Sequence, residues 1–342
     1  MITLFKAQLL DISVNSSTLA NTVGSNGQLS YDYETGQVYV HDGYGNKFFS
    51  NTSSLPGYTF QGSVSGYTSG GFTTSSVNTI DKFPFSTDSN ASDVGDLTVV
   101  RRLAAGQSSS VSGYTSGGHL DLNTIDKFPF SADGNANDVG DLTITRFNVV
   151  GQSSSTSGYT SGGQTPGYSW VNTIDKFPFS SDGNASDVGD MTVARITPAG
   201  QSSTSSGYNS GGGQPAQLNT IDKFPFAADG NATDVGDLTV SRSFVAGQSS
   251  STSGYSSGGV VPPSSNVIDK FPFSSDSNAS DVGDLTVIRA YVAGQSSTVS
   301  GYTSGSYPVT NTIDKFPFAS DTNATDVGDL SQTRGAAAGQ QG

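Results

Sequence analysis

One hexapeptide occurs six times in this chain: Ile-Asp-Lys-Phe-Pro-Phe begins at Ile80, Ile125, Ile174, Ile221, Ile268 and Ile313, with starts 45, 49, 47, 47 and 45 residues apart. Each copy leads into an Asp- and Asn-rich stretch ending in Asp-Val-Gly-Asp, then a short run and an arginine. A period of ~40–50 residues built from short apolar runs and Gly/Asp turns, with no 3.6-residue periodicity, points to the blades of a β-propeller and not to a helical array. Composition agrees: hydrophobic residues make up 33% of the chain against a usual ~45–50%, which argues against a conventional packed α/β domain.

Spacing inside the repeat is more informative than its period. From isoleucine to arginine is 21 residues in every copy, giving Arg101, Arg146, Arg195, Arg242, Arg289 and Arg334, and from arginine to the next tyrosine is 13. All length variation falls between that tyrosine and the next isoleucine, where the gap is 11, 13 or 15. Residues added in pairs to a hairpin loop preserve register, whereas a single extra residue turns every side chain to the other face. The variable stretch therefore reads as a hairpin loop.

The expected strands are Arg-x-x-x-x-Gly-Gln-Ser-Ser, Ser-Gly-Tyr-x-Ser-Gly-Gly, Asn-Thr-Ile-Asp-Lys-Phe-Pro-Phe and Asp-Leu-Thr-Val-x-Arg, in that order. In the third, Phe83 and Phe85 share one side and Ile80 and Lys82 the other, so blade packs on blade. Pro84 has no N–H to donate and belongs away from the centre of the ladder. One repeat holds about seven large apolar side chains, too few to offset ~1–2 kcal/mol per residue of ordering entropy, so stability must come from stacking. After Arg334 only Gly335–Gly342 remain, a first-strand sequence with no blade to follow. It is expected to complete blade one, a place for which residues 57–65 compete. The expected fold is all-β: a six-bladed β-propeller of four-stranded blades over residues 57–342, behind a small β-rich docking or oligomerisation segment, residues 1–56.

The run from Arg101 through Tyr114 to Gly117-Gly118, followed by Ile125–Phe130, resembles the kelch repeat, although Gly-Tyr-Thr-Ser stands where that repeat has four large apolar residues. Ser86-x-Asp88-x-Asn90-x-Ser92 resembles the Asp box of sialidase-type propellers, a turn between outer strands. Near the N-terminus, Gly27, Leu29, Thr35-Gly36, Tyr39-Val40 and Asp42-Gly43 form an alternating hairpin pattern. It resembles a short module found near the N-termini of many bacteriophage tail-fibre and other virion proteins. That likeness implies a segment that docks to a particle or trimerises, and a distal part that presents a surface.

Chemistry is sparsely provided. There is no cysteine, two histidines (His41 and His119) and one glutamate (Glu34), and phosphate-cradling or dinucleotide fingerprints are absent. Paired aspartates could cleave glycosides, but the candidates recur in all six copies whereas a catalytic site is asymmetric. No enzymatic activity is expected, a propeller glycosidase being the outlying alternative. Asp88, Asn90, Asp93 and Asp96 offer oxygen donors that Ca²⁺ would accept; capping of a turn is the preferred role, no cofactor is expected, and calcium is the alternative. The repeated arginines and Asp-Lys pairs read as inter-blade ion pairs, worth ~0–1 kcal/mol each if exposed. A net charge of −14 without a basic cluster argues against nucleic acid and anionic lipid. No apolar run approaches the ~20 residues of a membrane span, and Met1–Lys6 lacks the features of a secretory signal.

Function is better sought where the repeat permits change. The loops after Gly-Gly differ in all six copies and should emerge on one face. Candidate binding residues there are Phe72, His119, Asp121, Tyr168, Trp170, Gln214 and Tyr307, with Trp170, the only tryptophan, foremost. The expected function is a phage virion protein, a tail fibre or related appendage. It would be a homo-oligomer that contacts other virion proteins and binds a host-surface glycan or protein. An architectural decoration or neck protein is the alternative.

Overall fold

The computed structural model describes residues 61–342 apart from Gln214 and Pro263, together with the backbone of four short strands nearer the N-terminus. The chain divides into two compact units, Met1–Gly57 and Tyr58–Gly342. In the first, Ser13–Val14 pairs in parallel with Leu29–Asp32, which forms an antiparallel ladder with Gln37–His41; Lys47–Phe49 adds beyond it. The hairpin read from alternation is present, with Leu29 facing Val40 and Asp32 facing Gln37.

The second unit is a six-bladed propeller of four-stranded antiparallel sheets. Blade 2 runs from the axis outward as Ala105–Ser108, Ser112–Gly118, Leu122–Pro129 and Asn137–Asp141, and blades 3 to 6 repeat the plan. Blade 1 is composite. The C-terminal strand Ala338–Gln341 supplies its inner strand, beside Ser65–Ser69, Thr79–Pro84 and Ser92–Asp96. The competing segment lies elsewhere: Gly62 N–H donates to the Ser296 carbonyl at 2.8 Å and Gln61 Nε2 to that of Ser249 at 3.1 Å. The chain therefore enters the propeller beside its axis, at the end where each first strand turns into the second.

Two expected strands are placed differently. The outer strand is Ser92–Asp96, not the following Asp-Leu-Thr-Val-x-Arg, which instead forms the connection to the next blade. The inner strand begins at Ala105, four residues after Arg101. Both corrections have one cause: Asp126 holds this connection as a turn. Its carboxylate accepts from Thr98 N and Thr98 Oγ1 at 2.8 and 2.7 Å, and pairs with Arg101 Nη2 at 2.8 Å.

The axis is closed by glycine. A Cβ on Gly106 would overlap the Gly339 carbonyl oxygen, one on Gly151 that of Gly106, and so on through Gly200, Gly247, Gly294 and Gly339. Only a residue without a side chain lets six inner strands converge so closely. The invariant Gln beside each one reaches the neighbouring blade, as Gln107 Nε2 donates to the Tyr159 carbonyl and Thr160 Oγ1 at 2.9 and 3.0 Å.

Each seam carries its own apolar cluster. Tyr67, Ile80 and Leu97 of blade 1 pack with Phe128 and Ala136 of blade 2, and equivalent groups fill the other five seams. Pro84 ends its strand opposite Ser65, beyond the last residue paired with the outer strand. The ion pairs split into two kinds. Lys82–Asp133 and its equivalents are partly exposed, but all six Arg–Asp pairs are buried, at 2.7 to 3.2 Å. Treating these arginines as exposed pairs underrates them, because burial pulls the guanidinium pKa down and its carboxylate partner offsets that cost.

The Asp/Asn-rich turn stitches seams at the periphery. Asn90 Oδ1 accepts from Asp329 N at 3.1 Å, Asp88 pairs with Lys315, and Asp93 Oδ1 accepts from Gly95 N in its own turn. These donors serve different partners, and among the described residues no group of three or more His, Asp or Glu side chains forms a metal-binding cluster.

Candidate functional site

One face of the propeller carries both the blade-to-blade connections and the variable hairpins. The two are sewn together in every blade: Phe72 bridges Gly335, His119 N donates to the Arg102 carbonyl, and Gln164, Gly213, Val260 and Tyr307 bridge Phe147, Ile196, Ser243 and Ala290. The hairpins thus share one rim, opposite the end where the chain enters.

At the centre of this face lies a ring that the sequence pattern does not announce. Leu103, Asn148, Thr197, Phe244, Tyr291 and Ala336 stand two residues after the six buried arginines, and each has φ between 51° and 59°. Left-handed backbone at non-glycine residues costs of order 1 kcal/mol and persists only where surroundings impose it. Here a circle of backbone hydrogen bonds imposes it. Asn148 N donates to the Leu103 carbonyl, Thr197 N to Asn148, Phe244 N to Thr197, Tyr291 N to Phe244, Ala336 N to Tyr291 and Leu103 N to Ala336, at 2.7 to 3.1 Å. The backbone is sixfold; the side chains it presents are all different.

That variety is unevenly distributed. Phe244 and Tyr291 stack with ring centroids 3.8 Å apart, and Tyr291 meets Tyr307 edge-on at 5.7 Å. Beside them opens a cavity of about 340 Å³ lined by Phe72, Arg102, Leu103, Tyr291, Tyr307, Gly335 and Ala336. Arg102 lies over the Phe72 ring, 4.5 Å from its centroid, and its Nη2 is 3.4 Å from His119 Nε2. His119 in turn stands edge-on to Phe147 at 5.4 Å. Aromatic rings therefore stand in two groups beside the cavity, Phe244, Tyr291 and Tyr307 on blades 5 and 6, and Phe72, His119 and Phe147 around Arg102. The axial cavity, about 140 Å³, is lined by inner-strand residues of all six blades and by the six left-handed residues, Phe244 and Tyr291 among them.

Electrostatically, Arg102 is exceptional. The other six arginines are the buried pairs, and the six propeller lysines each face an aspartate, so among the described residues Arg102 is the one arginine or lysine with no carboxylate within salt-bridge distance. Partial burial, and then the Arg102 charge, push the His119 pKa below its usual value, with Asp121 opposing. Burial raises the Tyr291 phenol, which stays a neutral donor.

Of the residues singled out in sequence, Phe72, His119 and Tyr307 gather around this cavity, and Asp121 stands exposed at the tip of the His119 hairpin. Tyr168 and Trp170, 76% and 40% exposed, sit on the blade 3 hairpin, and no ring contact among the described residues joins them to this group. Gln214 lies outside the described residues. Arg102, Tyr291 and Phe244 were not legible in sequence from loop variability, because they lie in connections of constant length and not in the variable loops. A signal existed: Arg102 is the one arginine outside the 21-residue spacing. No protein-family model matches this chain, and no curated protein matches it either.

Proposed function

We propose that this chain is a non-enzymatic virion protein of a tailed phage, an appendage whose propeller presents its hairpin face to the host surface. The N-terminal segment would attach it, as part of a homo-oligomer, to neighbouring virion proteins. The observation that carries the reading is asymmetry of loop length and large side chains concentrated on one face. The seams, axis and peripheral turns repeat around the ring, while the hairpins and the six left-handed positions differ blade by blade. Selection for architecture alone gives no reason for an aromatic patch of half-exposed rings on one sector of that face. The recurrent aspartates and lysines are occupied in ion pairs and turn caps, which supports a binding role over catalysis.

Bulky insertions test this. A ten-residue tag placed after Tyr168, on the hairpin face, should abolish attachment of particles to host cells without affecting assembly. The same tag after Val111, in an exposed first-to-second-strand turn on the other face, should leave attachment intact. Equal attachment in both would favour the purely architectural reading.

A further inference from the structure

We propose that the cavity between blades 6, 1 and 2 is a binding subsite for a carboxylate-bearing saccharide, with Arg102 as the carboxylate receptor and Phe72, Tyr291 and Tyr307 as the walls. The inference rests on the recognition role proposed for this face and names the chemical class it would take.

Three observations converge. Volume comes first: about 340 Å³ lies at the small end of ligand pockets, which suits one monosaccharide unit and is too little for a folded peptide segment. The walls come second. Tyr307 is 53% exposed and stands edge-on to Tyr291, so apolar ring surface and phenolic hydroxyls meet at one opening. An aromatic face takes the C–H face of a sugar, and a phenol or backbone group takes its hydroxyls. The third is charge. In a chain of net charge −14, the one propeller cation without a carboxylate lines this cavity, its guanidinium carbon over the Phe72 ring at 4.5 Å from the centroid. A guanidinium over a ring face still offers N–H donors that can give two parallel N–H···O bonds to a carboxylate. His119, at 3.4 Å, supports Arg102 from the side and leaves it uncompensated, since a neutral imidazole carries no charge.

Competing sites are poorer fits. The axial cavity has no arginine, lysine or histidine in its lining, and Trp170 stands on a hairpin with no cation among its described contacts. The negative charge of the whole protein repels an anionic sugar at long range, but physiological salt screens charges beyond ~8 Å, so the local Arg102 interaction decides.

The test is titration of the full-length chain with the methyl glycosides of glucuronate and N-acetylneuraminate, with methyl glucoside as neutral control, followed by protein-observed NMR or calorimetry. At least one acidic glycoside should bind, and at least tenfold more tightly than the neutral one. Arg102→Gln should remove that preference, Arg102→Lys should restore part of it, and Tyr307→Ala should weaken all saccharides. Melting curves check that these surface variants are folded. Trp170→Ala should leave the titration unchanged. Equal binding of acidic and neutral glycosides, or an unaltered preference in Arg102→Gln, overturns the carboxylate assignment. Saturation lost in Trp170→Ala alone moves the subsite to blade 3 and leaves the role of the face standing. No binding of either acidic glycoside at millimolar concentration also overturns the subsite. The insertion experiment above then decides separately whether the face is used at all.

Discussion

Replacing Asp175 by asparagine removes a charge from one of the six buried ion pairs and almost no volume. Asp175 is fully buried, pairs with Arg146 Nη2 at 3.0 Å, and accepts from Thr143 N and Thr143 Oγ1 at 2.9 and 2.7 Å. Arg146 is itself fully buried and also donates to the carbonyls of Thr160, Gly162 and Thr173. Those carbonyls take hydrogens of Nη1 and Nη2, Nε has no hydrogen-bond partner among the described residues, and no carbonyl can neutralise the charge. An uncompensated buried charge costs ~3–5 kcal/mol. With an unfolding entropy of ~2.1 cal/mol/K per residue, about 0.6 kcal/mol/K over the propeller, that corresponds to a fall in melting temperature of roughly 5–8 °C. The matched control is Asp182→Asn, which breaks the exposed pair with Lys127 at 2.9 Å. It should cost ~0–1 kcal/mol, less than about 2 °C. Scanning calorimetry or circular dichroism reads both. If the two variants melt together, the buried pairs do not stabilise the connections in the way argued. The double variant Arg146→Met with Asp175→Leu should regain part of the loss, because removing both charges ends the imbalance while Thr143 N and Oγ1 lose their acceptor.

Four further outcomes are expected. Deleting residues 338–342 removes three backbone bonds with Val64 and Ser65, three from Gln340 Nε2 and one from Gln341 N, besides the ladder itself. At ~1 kcal/mol each, about 7 kcal/mol is lost from a total of ~5–15, so the chain should be largely unfolded at 37 °C by circular dichroism. Gly200→Ala forces a methyl against the Gly151 carbonyl and should cost about 1–3 kcal/mol in urea unfolding, whereas Gly167→Ala, with open space around it, should be close to neutral. His119 has a depressed pKa when folded, so its contribution to stability is present above pH ~6.5 and is lost as pH falls through the folded value. His119→Gln should abolish that component of the stability profile between pH 7 and 5. Excess chelator should leave the melting temperature unchanged, a fall of several degrees being the result that restores calcium to the Asp-rich turns.

The blade count, the hairpin loops and the C-terminal completion of blade one were legible in sequence because they follow from counting. A constant 21-residue spacing with variation in steps of two leaves little freedom in how strands connect. The outer strand was misplaced because Asp-Leu-Thr-Val-x-Arg alternates like a strand, whereas Ser92–Asp96 contains a glycine and two aspartates that propensity assigns to turns. Tertiary context reverses this: Gly95 lets the Gly134 carbonyl of the next blade approach, and Asp126 bends the Thr98–Arg101 stretch. The aromatic sector escaped detection for a related reason. Leu103, Phe244 and Tyr291 occupy left-handed backbone that glycine or asparagine would signal, and their register is set by the ring of inter-blade hydrogen bonds. Phe72, His119 and Tyr307 could be named from loop variability, but that they meet around Arg102 depends on ring closure.

Closure itself can be measured in a chain that has no cysteine of its own. Ser69 and Ala338 face each other across the blade 1 ladder, both small and buried, so Ser69→Cys with Ala338→Cys places the only two thiols of the molecule on facing strands. Mild oxidation at low protein concentration should give an intramolecular disulfide with no free thiol, read as increased mobility on a non-reducing denaturing gel. Thiols that stay free, or crosslinks only between molecules, would contradict a ring closed by its own C-terminus.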